Sequence, residues 1–184
     1  MRFIPTSLPG VVVVETPRVE DARGGFERSY CAESFAAAGL PALGTQCNIS
    51  TNTRRLTLRG MHFQAAPEPD AKLVRCLSGR ILDVAVDIRP GSPARGRWTA
   101  VELAAGDGRS LFVPAGFAHG FVTLADDTTV FYMMGAPYRA GLARGFRWDD
   151  PEVGIGWPVV PEIVSERDRA LPPLSALREE DLAR

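Results

Sequence analysis

The sequence predicts an all-β sandwich or barrel with a few short helices, and two observations carry that expectation. Eighteen glycines and fifteen prolines are spread through 184 residues instead of being massed in a linker, so they punctuate many short runs. Strand-like alternation is clear over 80–88, where Leu82, Val84, Val86 and Ile88 share one face and Asp83, Ala85 and Asp87 the other. The first face reads as packed core. Asp83 then points either to solvent or into a polar barrel interior.

Taken in chain order, strands are expected near 10–15 (GVVVVE) and 25–30 (GFERSY). Residues 31–39, CAESFAAAG, suit one short helix closed by Gly39. Strands follow near 45–51, 56–64, 72–77, 80–88, 98–103, 110–113, 117–124 and 128–134. Ser78-Gly79 and Asp126-Asp127 read as tight hairpin turns. The proline-rich stretch 150–174 is expected to wrap the surface without regular structure, and Ser175 to cap a second short helix in ALREEDLAR. The chain is expected to form a single domain over 1–184, with residues from about 150 to 184 as a surface-wrapping tail.

Composition narrows the function. An apolar fraction of 45% and a charged fraction of 23% belong to a globular protein. A net charge of -1 offers no basic field, which argues against nucleic acid as a partner. No apolar stretch approaches the ~18 residues of a membrane span, and the N-terminus lacks a signal-peptide core. Cys31, Cys47 and Cys76 form no short-spaced pair, which fits reduced thiols and a cytoplasmic location.

The two histidines carry the chemistry. His62 lies in RGMHFQ and His119 in PAGFAHGF. With no H-x-H or C-x-x-C pair to supply the ligands a transition metal needs, a histidine acting as proton-transfer base is the sharper expectation. Arg59 stands three residues before His62, so strict alternation would put them on opposite faces. A β-bulge at Gly60 would bring both to one face. Lys72 opens the strand KLVRC, Tyr132 sits in VFYMM and Asp168 in SERD. Each alone reads as an ordinary structural residue. Together they are a base, a cation, a phenol and an orienting carboxylate, the set needed for enolate chemistry beside a ketone.

The strings RGMHFQ, AKLVRCLSGRILDVAVDIRPGSP, GRWTAVEL, LFVPAGFAHGF and RGFRWDDPEVGIGWP, with their spacing, closely resemble the dTDP-4-dehydrorhamnose 3,5-epimerase family from about residue 3 to residue 170. The resemblance implies a cupin-type jelly roll and a homodimer that works without metal or other cofactor. It also implies an isomerase that inverts C3 and/or C5 of a nucleotide-diphosphate-linked 4-keto-6-deoxyhexose. His62 matches the family's catalytic base, Tyr132 the acid on the opposite sugar face, Asp168 the carboxylate that orients the histidine, and Lys72 the cation at the ketone oxygen. Arg23, Phe26, Gln46, Asn48, Arg59, His119, Tyr138 and Arg167 match substrate-binding positions. Arg28 and Ala143 stand where the best-known members carry glutamates, Cys47 replaces an aspartate, and Met133 a common lysine. The catalytic set is kept while the ligand shell differs, which leaves the carrier nucleotide and the sugar open. A related cupin acting on another carrier, or moving the keto group between C3 and C4, is the alternative.

Overall fold

The computed structural model describes residues 1–182. One sheet has the order β1 (Arg2–Pro5), β2 (Val12–Glu15), β10 (Arg109–Val113), β7 (Lys72–Ser78), β12 (Thr128–Met134) and β5 (Gln46–Asn52). The other runs β13 (Ala143–Gly145), β6 (Thr57–Gln64), β11 (Phe117–Thr123), β8 (Arg80–Asp87) and β9 (Trp98–Ala104), with β14 (Ile163–Val164) added parallel to β6. A separate ribbon joins β3 (Arg18–Asp21) to β4 (Gly24–Glu27). Most neighbours within a sheet are distant in sequence, which is the jelly-roll pattern.

The chain passes between sheets at Ser78-Gly79 and Asp126-Asp127. Both were expected to be hairpin turns, and neither is one: β7 and β8 lie in different sheets, as do β11 and β12. Gly79 (φ +72°) and Asp127 (φ +49°) supply the left-handed backbone of these corners. The two corners are tied together where Ser78 Oγ donates to the Asp127 carbonyl at 2.7 Å.

Between the sheets, Val74, Leu111 and Val130 meet Ile81, Ala85, Leu103, Phe117 and Phe121 in one buried cluster. The alternation in β8 therefore has two dry sides. Val84, Val86 and Ile88 pack outward with Met61, Phe63, Ala118 and Phe146, beneath Val153, Leu174 and Leu182 of the C-terminal segment. Asp83 points into the barrel and is wholly buried. Helix α1 (Ala32–Ala37) lays Phe35 against Phe3, Tyr30 and Phe112 on the outside of the first sheet. It stops as expected near Gly39, at φ +73°.

The C-terminal region departs from expectation. Residues 150–174 contain β14 and a short helix, α2 (Glu166–Arg169). Ser165 caps α2, its Oγ accepting from the Asp168 N–H at 3.1 Å. Ser175 caps nothing. It lies inside a 3₁₀ turn, Leu174–Ala176, and a second such turn covers Glu179–Asp181. A helix this short is marginal alone, and the docking of Leu174 and Leu182 into the outer cluster holds the chain along the sheet instead. Ala183 and Arg184, the end of the expected helix, lie outside the described residues.

Candidate active site

The site begins at an irregularity in β6. His62 faces His119 across the β6–β11 ladder, and the next matched pair is Arg59 with Phe121. Gly60 and Met61 thus stand against the single residue Gly120, which is a bulge. Leu58 and Met61 turn outward into apolar clusters, while Arg59 and His62 both line the barrel cavity. Gly60 has φ +140°, and a Cβ there would sit 2.6 Å from Gly120 Cα. Both the backbone conformation and the close strand contact demand glycine.

The cavity is about 780 Å³ in volume, large enough for a sizeable ligand. His62, Lys72, Tyr132 and Asp168 line it, as do Gln46, Asn48, Arg59, His119, Tyr138 and Arg167. His62 Nε2 lies 2.7 Å from Asp168 Oδ1, and the Gly60 N–H donates to Asp168 Oδ2 at 3.2 Å. Burial raises the Asp168 pKa, but the His62 contact, the Gly60 N–H and Ser165 outweigh it and hold the carboxyl below its ordinary value. An ionised Asp168 places the imidazole proton on Nε2 and leaves Nδ1 as the basic nitrogen. The His62 side chain is 39% exposed while that of Asp168 is 5% exposed, so the base is reachable and its anchor is not.

Two further carboxylates stand behind cavity groups in the same way. Asp83 Oδ1 is 2.7 Å from His119 Nε2, and Asp70 pairs with Lys72 at 3.3 Å. Tyr132, on β12, packs partly against the barrel core. Burial pushes its phenol above the ordinary range; Arg59 opposes this, and Asp70 and Tyr138 add to it. Arg59 is held by Asn52 Oδ1 at 2.7 Å. Gln46 bonds Asn48 at 2.9 Å and accepts the Tyr138 N–H at 3.0 Å. Ala143 also lines the cavity.

The structure does not bring Arg23 and Phe26 to this cavity. Both belong to the β3–β4 ribbon, where Arg23 pairs with Asp21 and Phe26 is 75% exposed. Sequence reading missed Asp70, whose signal was a charge two residues ahead of Lys72, and the partnership of Asp83 with His119, which only the β8–β11 register reveals. Among the described residues, no group of three or more His, Cys, Asp or Glu is placed to hold a metal.

Comparison with known proteins points one way. The profile of the dTDP-4-dehydrorhamnose 3,5-epimerase family matches residues 5–176. The chain is 42% identical over 178 residues to the dTDP-4-dehydrorhamnose 3,5-epimerase of Sinorhizobium fredii, covering 96% of this chain and 91% of that protein. It is 43% identical to that of Methanothermobacter thermautotrophicus, covering 94% of each. Among solved structures, the Legionella pneumophila dTDP-6-deoxy-D-glucose-3,5-epimerase in complex with dTDP-4-keto-L-rhamnose superposes with a TM-score of 0.94 at 32% identity, covering 100% of this chain and 97% of that one. A 3′-monoepimerase from Streptomyces bikiniensis in complex with dTDP-quinovose gives a TM-score of 0.87 at 33% identity, covering 94% and 87%. With its jelly-roll barrel, its cavity and these full-length matches, the chain belongs to the dTDP-4-dehydrorhamnose 3,5-epimerase family of isomerases.

Proposed function

We propose that the protein inverts C3 and/or C5 of a nucleotide-diphosphate-linked 4-keto-6-deoxyhexose through an enolate, in deoxysugar biosynthesis. The observation that carries this reading is the convergence of the His62–Asp168 pair, Lys72 and Tyr132 on one cavity. His62 Nδ1 takes a proton from a carbon beside the ketone. The electron pair moves to the ketone oxygen, where the Lys72 ammonium stabilises the developing charge, a contribution that is large in a low-dielectric site. Tyr132 returns a proton to the opposite face of that carbon, which inverts it. Solvent then reprotonates the phenolate and takes up the proton held by His62, so the reaction is a net isomerisation. Held above its ordinary pKa, the phenol stays protonated and so carries the proton the strongly basic carbanion takes up.

Arg59 and Arg167 are the residues assigned to the pyrophosphate, because guanidinium forks match its oxygens. Gln46, Asn48, His119 and Tyr138, which line the same cavity, are assigned the remaining substrate contacts, Tyr138 stacking on the base. The working unit is a homodimer in a single-domain subunit, acting in the cytoplasm without metal or cofactor. In it the β3–β4 ribbon carries Arg23 and Phe26 to the partner's cavity. Activity is expected to survive prolonged EDTA treatment.

The test is incubation in D₂O with dTDP- and CDP-linked 4-keto-6-deoxyglucose, with deuterium at C3 and C5 read by NMR. Wash-in at one or both carbons with inverted product is expected. No wash-in from either carrier would overturn the reading. Label at C3 alone would place the enzyme with monoepimerases such as the Streptomyces bikiniensis protein.

A further inference from the structure

We propose that Asp70 is a positioning residue for the epimerisation, seating the Lys72 ammonium where the ketone oxygen binds. This rests on the reading of Lys72 as the ketone cation. The Asp70 side chain is 2% exposed and that of Lys72 12% exposed. Lys72 Nζ lies 3.3 Å from Asp70 Oδ2 and 3.4 Å from Oδ1, with hydrogen-bond alignment only to Oδ1. Oδ2 is buried without a hydrogen-bond partner. A buried carboxylate is costly to leave uncompensated, and Lys72 is the cation paired with it among the described residues. The two are thereby tied together.

The tie is asymmetric. Asp70 sits in the 65–71 connection, which is fixed along its length. The Ala65 N–H donates to the Leu142 carbonyl at 2.9 Å and the Ala66 N–H to the Asp181 carbonyl at 3.2 Å. The Glu68 carbonyl accepts from the Gln64 amide at 2.6 Å, and the Ala71 carbonyl from the Gly135 N–H at 2.9 Å. Lys72 carries its charge on a flexible four-carbon stem. A rigid carboxylate paired with a flexible ammonium orders the ammonium before substrate arrives, so the reaction does not have to supply that ordering. The contacts are longer than the ~2.7–2.9 Å of a tight charge-assisted bond. The ammonium is therefore anchored while keeping protons for a ketone oxygen. Because one oxygen serves both neighbouring carbons, Asp70 should influence exchange at C3 and C5 alike.

The experiment compares wild type, Asp70→Asn, Asp70→Glu, Lys72→Ala and the Asp70→Asn/Lys72→Ala double variant. It reads kcat, KM and D₂O wash-in at each carbon, with residual exchange followed over days and a melting curve for each protein. Asp70→Asn is expected to lower kcat about tenfold or more with KM within about threefold, since it removes preorganisation and not a substrate contact. Asp70→Glu should recover part of the loss, and the Asn substitution should add less than about twofold in the Lys72→Ala background, because coupled residues are non-additive. Full kcat in Asp70→Asn, or an undiminished loss on top of Lys72→Ala, overturns the proposal. Normal exchange in Lys72→Ala overturns the ketone-cation reading itself, and Asp70 then has nothing to position. Should Asp70→Asn fail to fold, Asp70→Gln takes its place with the same outcomes: a kcat equal to wild type, or an undiminished loss on top of Lys72→Ala, overturns the assignment.

Discussion

At the scale of single residues, the cavity repeats one device: a working group in reach of a ligand, with a buried aspartate behind it. His62 has Asp168, His119 has Asp83 and Lys72 has Asp70. Loss of the base should be severe. His62→Asn is expected to cut deuterium wash-in by about 100- to 10,000-fold with the fold intact, and a variant with near-normal wash-in would remove His62 from the mechanism. Asp168→Asn has a second readout. Because the folded carboxyl titrates below its ordinary value, its stabilising contribution is complete above the unfolded value and disappears as pH falls through the lower, folded one. Acid unfolding of Asp168→Asn should therefore be less steep with pH near and below about pH 4 than that of wild type. Parallel acid unfolding curves would show that the carboxylate makes no such contribution. Tyr132→Phe separates exchange from inversion. It keeps the ring and loses the donor, so His62 can still take and return a proton on its own face. Exchange should persist while net inversion falls much further, and equal slowing of both would return Tyr132 to a packing role.

At the scale of elements, the decisive one is the bulge in β6. Gly60→Ala would press a methyl onto the Gly120 backbone and force a φ of +140° on a residue that avoids it. The expected cost is about 3 kcal/mol, measured by denaturant melting, together with a loss of activity because Arg59 and His62 no longer share a face. An alanine variant with wild-type stability and activity would mean that the bulge is not what aims His62. The bulge was legible in the sequence because a glycine stood between two residues that the chemistry wanted on one side. The long strands from 46 to 134 were legible too, since alternation and turn residues mark them. What the sequence hid were features set by packing. The corners at Gly79 and Asp127 have the turn chemistry of hairpins, and only sheet membership separates the two. Helix α2 is four residues long and follows the prolines at 151, 158 and 161, so no periodicity could announce it. Asp168 itself was found by family resemblance, and the structure supplied the cap by which Ser165 aims it.

At the scale of the whole molecule, ten of the twelve residues picked out as site candidates line one cavity, while Arg23 and Phe26 stand on an exposed ribbon away from it. An aromatic 75% exposed on the ribbon, paired across it with the likewise exposed Val19, is an apolar surface that asks for a partner. Strand β5 adds to this, since it is an open sheet edge with Ile49 exposed. A homodimer in which each ribbon closes the neighbour's cavity accounts for both observations, and it predicts complementation between defective subunits. Arg23→Ala/Phe26→Ala subunits keep an intact His62 and a defective ribbon, while His62→Asn subunits keep an intact ribbon and a dead base. Each alone should be weak or inactive. Co-expressed, the mixed dimer holds one site with a working base and a working ribbon, and one site with neither. About half the wild-type activity per mixed dimer is then expected, read on heterodimers isolated with two different affinity tags. If the ribbon served its own subunit's cavity, every site in the mixed dimer would lack one component, and activity would stay at the level of the defective parents. A fully active monomer in sedimentation would refute the arrangement more directly, since a cavity complete within one chain needs no neighbour's Phe26.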